Sequence, residues 1–330
     1  MKRSFSLIAA AGAFLALIVW NAPAKEGAAW GAQLFVSLLL PSLLPFFVLT
    51  NLLNRLGLPE ALEGRLAGLT ERCFSLPGAA AAALIPGLCG GYPLGAAAAA
   101  GLCESGKLTK EETERLLFFC DNTGPAFAVA AMGGGALGSV RAGVLLWICH
   151  VLSALLLGLL CRRRGKPEQS RETDTSPAPA PLPIPKALTE SVTAAGSAML
   201  NVGFFVVFFS SLLYVLDAAG LLTALSRALA GTGLLPEEAC RCLVWSFFEL
   251  SGSVGLLSAL PLTPSTLAVA SFALSWGGLC VCCQSAAVTA PAGLSARTRL
   301  QGKLLHGLLA AALAYIMSTL FFALSPAILS

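Results

Sequence analysis

Residues 118–125 read Phe-Phe-Cys-Asp-Asn-Thr-Gly-Pro, and they interrupt an apolar run that covers 116–135. An acid, an amide and a hydroxyl stand together there, at Asp121, Asn122 and Thr123. A Gly-Pro pair follows, which breaks a helix because proline lacks an amide hydrogen and its ring clashes with the preceding turn. Placing one acid at the centre of a membrane costs about 2.5–3.5 kcal/mol, so such residues usually face a cavity or a partner. The stretch therefore predicts a broken membrane helix with a functional site; the alternative is that Asp121 caps a helix near an interface.

The composition of the chain favours a membrane protein. Apolar residues make up 56% of the 330 residues, charged residues only 12%, and the mean hydropathy is +0.80. A soluble domain carries about 25% charged residues, so the missing charge indicates a surface that faces lipid. The net charge of +4 comes from scattered basic residues that form no stripe, which argues against a nucleic-acid partner. We expect an all-α polytopic membrane protein.

About seven apolar segments are predicted to cross the bilayer as helices of roughly 20 residues each. They are residues 5–20, 28–53, 116–135, 140–161, 188–216, 267–290 and 304–324. Two further segments, 77–103 and 240–260, are apolar but interrupted by glycine or polar residues, and we predict them to be re-entrant hairpins. Residues 1–24 have a second interpretation, because Lys2 and Arg3 before an apolar run also fit a cleaved signal peptide.

The order of segments in the first half recurs in the second half, on either side of a basic, proline-rich linker at 162–186. Polar landmarks keep their spacing: His150 follows Gly124 by 26 residues, and His306 follows Cys280 by 26 residues. We expect two repeats of inverted topology, an architecture typical of secondary transporters. The predicted division is an N-terminal transmembrane helix (1–27), a first repeat (28–161), the linker (162–186) and a second repeat (187–330).

The distribution of positive charge agrees with one topology. If both hairpins return to the side they entered, the N-terminus and the linker 162–186 are cytoplasmic, together with the segments 54–76, 104–115 and 295–303. These segments carry most of the basic residues, as the positive-inside rule requires: Arg55, Arg65, Arg72, Lys107, Lys110, the cluster at Arg162, Arg297, Arg299 and Lys303. The other side keeps Lys25, Arg141, Arg227 and Arg241.

Candidate site residues cluster where the apolar segments are interrupted. The stretch 86–95, Pro-Gly-Leu-Cys-Gly-Gly-Tyr-Pro-Leu-Gly, predicts either a cavity or a packing interface of small residues. The candidate substrate-binding residues are Gly91, Tyr92, Pro93, Asp121, Asn122, Thr123, Gly124, Asn201, Glu249, Ser251, Ser253, Trp276, Gly277, Gly278 and Gln284. The candidates for proton or ion coupling are Asp121, Glu249, His150 and His306, although a lone buried histidine is more often a packing residue.

The sequence contains no motif for an enzyme. It has no nucleophile–base set, no phosphate-binding loop and no metal-ligand motif, so we predict no enzymatic activity, no metal and no cofactor beyond a coupling H+ or Na+. Cys280-Val-Cys282-Cys283 lacks a second pair with matching spacing for a metal site. Most of the eleven cysteines lie in apolar runs, where free thiols behave as small apolar residues.

The interrupted segments resemble the sporulation integral membrane protein YlbJ family, which carries a nucleoside recognition Gate domain. The resemblance rests on Pro41–Phe47, Gly91–Gly95, Phe119–Pro125, Phe248–Glu249 and Trp276–Leu279, which occur in the same order. The family usually has asparagine where this chain has Asp121, which adds a titratable group. The resemblance implies a distant similarity to concentrative nucleoside transporters, in which inverted repeats place paired re-entrant hairpins beside the substrate.

The resemblance also implies a function in spore-forming bacteria. It suggests a secondary transporter or permease for a small polar metabolite, with a sporulation role and with dipicolinic acid as the leading substrate. The alternatives are nucleoside transport or binding, and a non-transporting scaffold of spore-envelope assembly. The expected partners are a small-molecule substrate and the lipid bilayer, and a homo-oligomer is left open. The expected location is the bacterial cell membrane, with a membrane around the forespore as the narrower prediction.

Overall fold

The computed structural model of the chain describes residues 2–162 and 182–324. Their secondary structure consists of helices joined by turns, which confirms the predicted all-α class. Most of the predicted linker, residues 163–181, lies outside the described residues, so its extended, cytoplasmic character stays a prediction. The choice between a retained helix and a cleaved signal at residues 1–24 also stays open.

The first half begins with a long helix that follows a shorter N-terminal one. Its helices are α1 (Lys2–Val19), α2 (Asn21–Leu34), α3 (Leu40–Arg55), α4 (Leu58–Leu69), α5 (Ala81–Gly90), α6 (Leu94–Glu104), α7 (Lys110–Leu116) and α8 (Val140–Leu160). π-Helical turns cover Phe35–Leu39, Thr70–Phe74 and Ala126–Ala136, and a 3-10 turn covers Gly78–Ala80. Through the first of these turns, α2 and α3 form one helix of 35 residues.

The second half contains seven helices within the described residues. They are α9 (Ile184–Ala218), α10 (Leu221–Ala230), α11 (Glu237–Phe248), α12 (Leu250–Leu257), α13 (Pro264–Trp276), α14 (Gly278–Thr289) and α15 (Ala296–Leu324). After α1, both halves have the same order of elements: a long helix, a short helix, a hairpin of two short helices, a broken helix and a long closing helix. The division into two repeats and their inverted topology remain proposals.

The structure has fewer full-length spans than the sequence predicts. Within the described residues, five helices are long and apolar enough to cross a membrane: 21–55, 140–160, 184–218, 264–289 and 296–323. A sixth candidate is the pair Glu63–Phe74 and Gly78–Gly90, which is bent by 100°. Two predicted spans are shorter, because the apolar part of α1 is Leu7–Val19 and because the polar stretch 118–125 splits the segment 116–135.

The long helices pack in two groups around the broken ones. Helices α2 and α3 lie along α9, whereas α15 packs against both α13 and α8. The contact between α2 and α9 is close, since a Cβ atom at Gly27 would lie 2.5 Å from the carbonyl oxygen of Ser210. Small residues permit such an approach in a membrane, where helices associate through van der Waals packing.

The outer faces of these helices are apolar. Leu160 on α8, Phe204 on α9 and Ile316 on α15 expose 66%, 71% and 56% of their surface. Many further leucines, valines and phenylalanines on the same helices are exposed as well. A broad apolar surface of this kind is covered by lipid in an integral membrane protein. The polar residues at the interruptions, by contrast, are buried in the interior: Asp121, Asn122, Thr123 and Glu249.

Candidate functional site

The two broken helices meet at their breaks. At Gly277 and Gly278 the chain adopts φ angles of +77° and +82°, which glycine reaches without steric cost. These two turns end α13 and separate it from α14, so the carbonyl of Leu274 can accept hydrogen bonds from other elements. The hydroxyl of Thr123 lies 2.6 Å from this carbonyl oxygen, and the hydroxyl of Tyr92 donates to the same oxygen. Side chains of the first half therefore hold the broken helix of the second half.

The tip of the first hairpin, Gly91–Pro93, packs on the break of the first half. Gly91 has a φ of +87°, and a Cβ atom there would lie 2.8 Å from the backbone nitrogen of Gly124. Behind the tip, Gly87 and Gly95 enclose the carbonyl oxygen of Cys120 so closely that a Cβ atom at either position would overlap it. Glycine is required at these positions because two backbones touch.

The tip of the second hairpin is formed by Glu249, which is 1% exposed. The residue is extended (φ −147°, ψ 121°) and caps α12, where its carboxylate accepts hydrogen bonds from the backbone N–H groups of Ser251, at 2.9 Å, and Gly252. A carboxylate at a helix N-terminus is stabilised by these free N–H groups and by the helix dipole. Arg241, which precedes Glu249 in the sequence, pairs with Asp217 at 3.1 Å.

A cavity lies between the two hairpin tips. The space in it that the centre of a water-sized sphere can reach is about 50 Å³. Polar side chains that line it are Tyr92, Thr123, Glu249, Ser251 and Gln284. The rest of the lining is apolar or glycine: Leu39, Leu43, Phe47, Gly90, Gly91, Gly124, Phe127, Val202, Val206, Leu250 and Val281. A mostly apolar cavity with a few convergent polar groups is typical of a small-molecule site.

Seven of the predicted substrate-binding residues line this cavity, and eight do not. Those in the lining are Gly91, Tyr92, Thr123, Gly124, Glu249, Ser251 and Gln284. Those outside it are Pro93, Asp121, Asn122, Asn201, Ser253, Trp276, Gly277 and Gly278.

Local bonds explain several of these exclusions. The ring of Trp276 stacks on Phe247 at 5.1 Å, and its indole N–H donates to the Phe247 carbonyl at 2.9 Å. The Ser253 hydroxyl donates to the Leu250 carbonyl within α12, at 2.7 Å. The Asn122 amide donates to the carbonyl of Phe119, at 2.8 Å. Trp276 thus packs against α11 and does not line the cavity.

Asp121 lies behind the cavity and is paired with a lysine that the sequence analysis placed in a loop. The ammonium of Lys303 lies 3.3 Å from a carboxylate oxygen of Asp121 and donates to the Asp121 backbone carbonyl at 2.7 Å. The side chain of Lys303 is 2% exposed and that of Asp121 is 0% exposed. The same ammonium lies 3.7 Å from the centre of the Tyr92 ring, and the hydroxyl of Ser285 donates to Asp121 at 2.7 Å.

The prediction of a loop at 295–303 is therefore wrong from residue 296 onward, whereas its cytoplasmic side stays a prediction. Helix α15 begins at Ala296 rather than at residue 304, and Arg299 and Lys303 are 3% and 2% exposed. The Arg299 guanidinium donates to the hydroxyl of Thr289, at 2.5 Å, at the end of α14. A signal for this was present: residues 299, 303 and 306 are spaced by four and three, so they lie on one face of a helix.

The two histidines connect α8 and α15 to the breaks. His150 accepts a hydrogen bond from the backbone N–H of Thr123 at 3.0 Å, and its other ring nitrogen lies 2.7 Å from the hydroxyl of Ser275. Because an amide N–H only donates, the proton of the neutral His150 ring is on Nδ1, facing Ser275. His306 donates from Nε2 to the backbone carbonyl of His150 at 3.0 Å, and the two rings lie 4.6 Å apart. Both histidines are buried and hydrogen-bonded within the packed interior.

The described residues contain no group of three or more histidine, cysteine or acidic side chains placed to hold a metal ion. All eleven cysteines have free thiols. What the site offers is a cavity with hydroxyl, amide and carboxylate groups, beside two helix breaks that are braced by buried polar contacts. This arrangement can bind a small polar molecule at the centre of the protein.

Comparison with known proteins agrees with this architecture. The chain is 27% identical to the sporulation integral membrane protein YlbJ of Bacillus subtilis (strain 168), over 94% of this chain and 82% of the relative. No protein-family model matches the sequence, so the likeness to a nucleoside recognition Gate domain stays a prediction.

Solved structures of CNTnw variants share the fold. One in an intermediate state has a TM-score of 0.53 at 16% identity and covers 99% of this chain and 86% of its own. Two in an outward-facing state have TM-scores of 0.53 and 0.52 at 13% and 15% identity, over 98% of this chain and 85% of theirs. The chain is therefore a membrane protein that is similar to YlbJ over most of its length and that has the fold of the concentrative nucleoside transporters, as the sequence motifs predicted.

Proposed function

We propose that this protein is a transporter or permease that binds a small polar metabolite in the cavity between the two hairpin tips. The observation that carries the proposal is that both hairpin tips and the first helix break line one cavity, next to the second helix break. Irregular backbone at membrane depth is tolerated where it lines a cavity or is buried in protein, and transporters place substrate and ion sites at such interruptions. The fold shared with nucleoside transporters and the relationship to a sporulation membrane protein support the same function.

The lining of the cavity favours a neutral substrate that donates hydrogen bonds. Glu249 is the acid of the lining, and no basic side chain is among the described residues that line the cavity. An anion placed beside a carboxylate that has no basic side chain next to it is repelled where the surroundings have a low dielectric constant. Hydroxyl or amine groups of a sugar or nucleoside would instead donate to Glu249, while Gln284 and Thr123 offer further polar contacts. This observation favours nucleoside-like substrates.

Dipicolinic acid and a role in sporulation are the narrower proposals that follow from the relationship to YlbJ. A dicarboxylate needs a positive counterpart, and the buried ammonium of Lys303 is held by Asp121 behind the Tyr92 ring. Dipicolinate would therefore be bound by backbone N–H groups or by a protonated Glu249. The proposed location is the bacterial cell membrane, with the N-terminus and the linker 162–186 in the cytoplasm and a forespore-surrounding membrane as the specific site. A homo-oligomer belongs to the same set of proposals.

The direct test is uptake into proteoliposomes with a panel of nucleosides, neutral metabolites and dipicolinate. We expect flux of at least one compound, and a loss of at least about ten-fold in its apparent affinity in Glu249→Gln, which keeps an oxygen for capping α12 but removes the charge. Asp217→Asn is the matched control, since Asp217 is an acid at the end of α9 that pairs with Arg241. It should transport like the parent protein.

Two outcomes would count against the proposal. If the folded parent protein gives no flux above empty liposomes for any compound, the transporter function is wrong and the scaffold alternative gains. If Glu249→Gln and Asp217→Asn both match the parent protein, the cavity is not the substrate site. Preference for dipicolinate over nucleosides would overturn the argument from charge while it would support the narrower proposal.

A further inference from the structure

The ammonium of Lys303 occupies a position that has the chemistry of a cation site. Residues 121–124, between α7 and the π-helical turn Ala126–Ala136, are not helical, and Pro125 has no N–H with which to donate a helical hydrogen bond to the carbonyl of Asp121. The carbonyl of Asp121 and its carboxylate both face the ammonium, at 2.7 Å and 3.3 Å. Unwound carbonyls and a buried carboxylate are the groups with which transporters hold Na+ or H+ at membrane depth.

More oxygen atoms surround the ammonium of Lys303 than one ion pair needs. The hydroxyl of Ser285 lies 2.7 Å from the carboxylate oxygen that faces the lysine. The second carboxylate oxygen of Asp121 is buried and has no hydrogen-bond partner in the described part of the chain, and the same holds for the side-chain oxygen of Asn122. A buried oxygen without a donor is costly, because it has lost its water and gained nothing in exchange. The cluster has unused capacity to bind positive charge.

The basic side chains on either side of Lys303 along α15 bind elsewhere and do not contact the Asp121 carboxylate. Arg299, one turn before Lys303, donates to Thr289, and His306, one turn after it, donates to the carbonyl of His150. The ring of Tyr92 lies between the ammonium and the substrate cavity, 3.7 Å from the ammonium nitrogen to the ring centre. The ammonium is thus held on one side by oxygens and on the other by the negative face of an aromatic ring.

We propose that Lys303 is a tethered cation, which permanently fills the cation site at the first helix break so that this site takes up no alkali-metal ion. The inference rests on the proposed transport function only for its consequence, that flux does not require Na+. The occupancy itself can be tested without flux. Removal of the ammonium should leave a vacant oxygen cluster around Asp121, which a small monovalent cation can enter.

The experiment compares thermal unfolding of the purified full chain in detergent, in NaCl and in choline chloride at equal ionic strength. The parent protein should unfold at the same temperature in both salts. In Lys303→Ala, Na+ should raise the unfolding temperature by at least about 2 °C relative to choline, since a ligand that binds only the folded state stabilises it. Asp121→Asn with Lys303→Ala is the control, because it removes the carboxylate and should lose the sodium effect.

Each result decides the inference. A parent protein that is stabilised by Na+ over choline, or a folded Lys303→Ala that shows no sodium effect, overturns it. Lys303→Gln is the second variant in case the alanine variant does not fold, and a smaller sodium effect is expected there because the amide fills part of the space. Should neither variant fold, the comparison of salts on the parent protein still tests the inference.

Flux measurements separate this inference from the proposed function. In proteoliposomes the parent protein should transport its substrate equally in Na+ and in choline, within about two-fold. A flux that rises ten-fold with a Na+ gradient would contradict the tethered cation and support transport. The absence of any flux would contradict transport, while the thermal comparison would still report on Lys303.

Discussion

Removing the ammonium of Lys303 should destabilise the protein more than any single surface change. Lys303→Met keeps most of the volume of the side chain but leaves Asp121 without a cation in a site where the two side chains are 0% and 2% exposed. Breaking a buried pair by removing one partner costs about 3–5 kcal/mol, because the remaining charge has lost both water and its partner. The lost donor to the Asp121 carbonyl, at 2.7 Å, is part of this cost.

A double variant shows whether the charge is the cause. Asp121→Asn removes the charge that Lys303→Met leaves unpaired, and the asparagine oxygen can still accept from Ser285. We therefore expect the double variant to be less destabilised than the sum of the two single variants, by about 2–3 kcal/mol of coupling free energy. The ion pair should contribute little to the net free energy of unfolding, since the desolvation of both ions offsets most of their attraction.

The assay is unfolding in mixed micelles, in which the fraction of denaturing detergent is raised and helix loss is followed by circular dichroism. The free energies of unfolding of the parent, the two single variants and the double variant give the coupling directly. A cost below about 1 kcal/mol for Lys303→Met, or additive single and double variants, would falsify the buried ion pair as described.

Two further predictions concern the packing of the breaks. Gly95→Ala should lower the free energy of unfolding by about 1–3 kcal/mol, because its Cβ would overlap the Cys120 carbonyl oxygen. The control is Gly101→Ala, whose Cβ meets nothing within 4 Å and which should be neutral or stabilising by up to about 1 kcal/mol. The same micelle titration measures both variants, and equal effects would refute the close contact. His150→Ala should cost about 1–3 kcal/mol, since it leaves a buried backbone N–H of Thr123 without an acceptor; faster hydrogen exchange at that amide is the specific readout, and unchanged protection would contradict the assignment.

The sequence determines much of this protein because its strongest signals are local. A polar stretch inside an apolar run, as at 118–125, predicts a break because acidic and polar side chains are costly in a helix that faces lipid and because Pro125 cannot continue the helical hydrogen bonds. The same reasoning locates the hairpin tips at Tyr92 and Glu249. The apolar outer faces of the long helices are expected because these segments are apolar along their whole length. The fold class, the approximate spans and the positions of the interruptions can therefore be predicted from the sequence alone.

The tertiary structure alone decides what the interruptions contact. Trp276 and Tyr92 look equally suited to a ligand in the sequence, yet the left-handed turn at Gly277 and Gly278 directs the Trp276 ring onto Phe247 while Tyr92 lines the cavity. Orientation at a break depends on a few backbone angles that composition does not encode. Within the described residues, the seven full spans predicted from apolarity become five or six for a related reason, because a broken segment and a spanning helix can have the same hydropathy.

The partner of Asp121 is the clearest case. Lys303 stands near Arg297 and Arg299 in the sequence, where three basic residues in a short stretch indicate a cytoplasmic loop. It is 182 residues from Asp121 along the chain, and the two meet only because α15 starts earlier than apolarity suggests and crosses the first break on its way along α13. The acid was visible in the sequence because its cost is local; the cation that neutralises it was not, because the neutralisation depends on where a distant helix crosses.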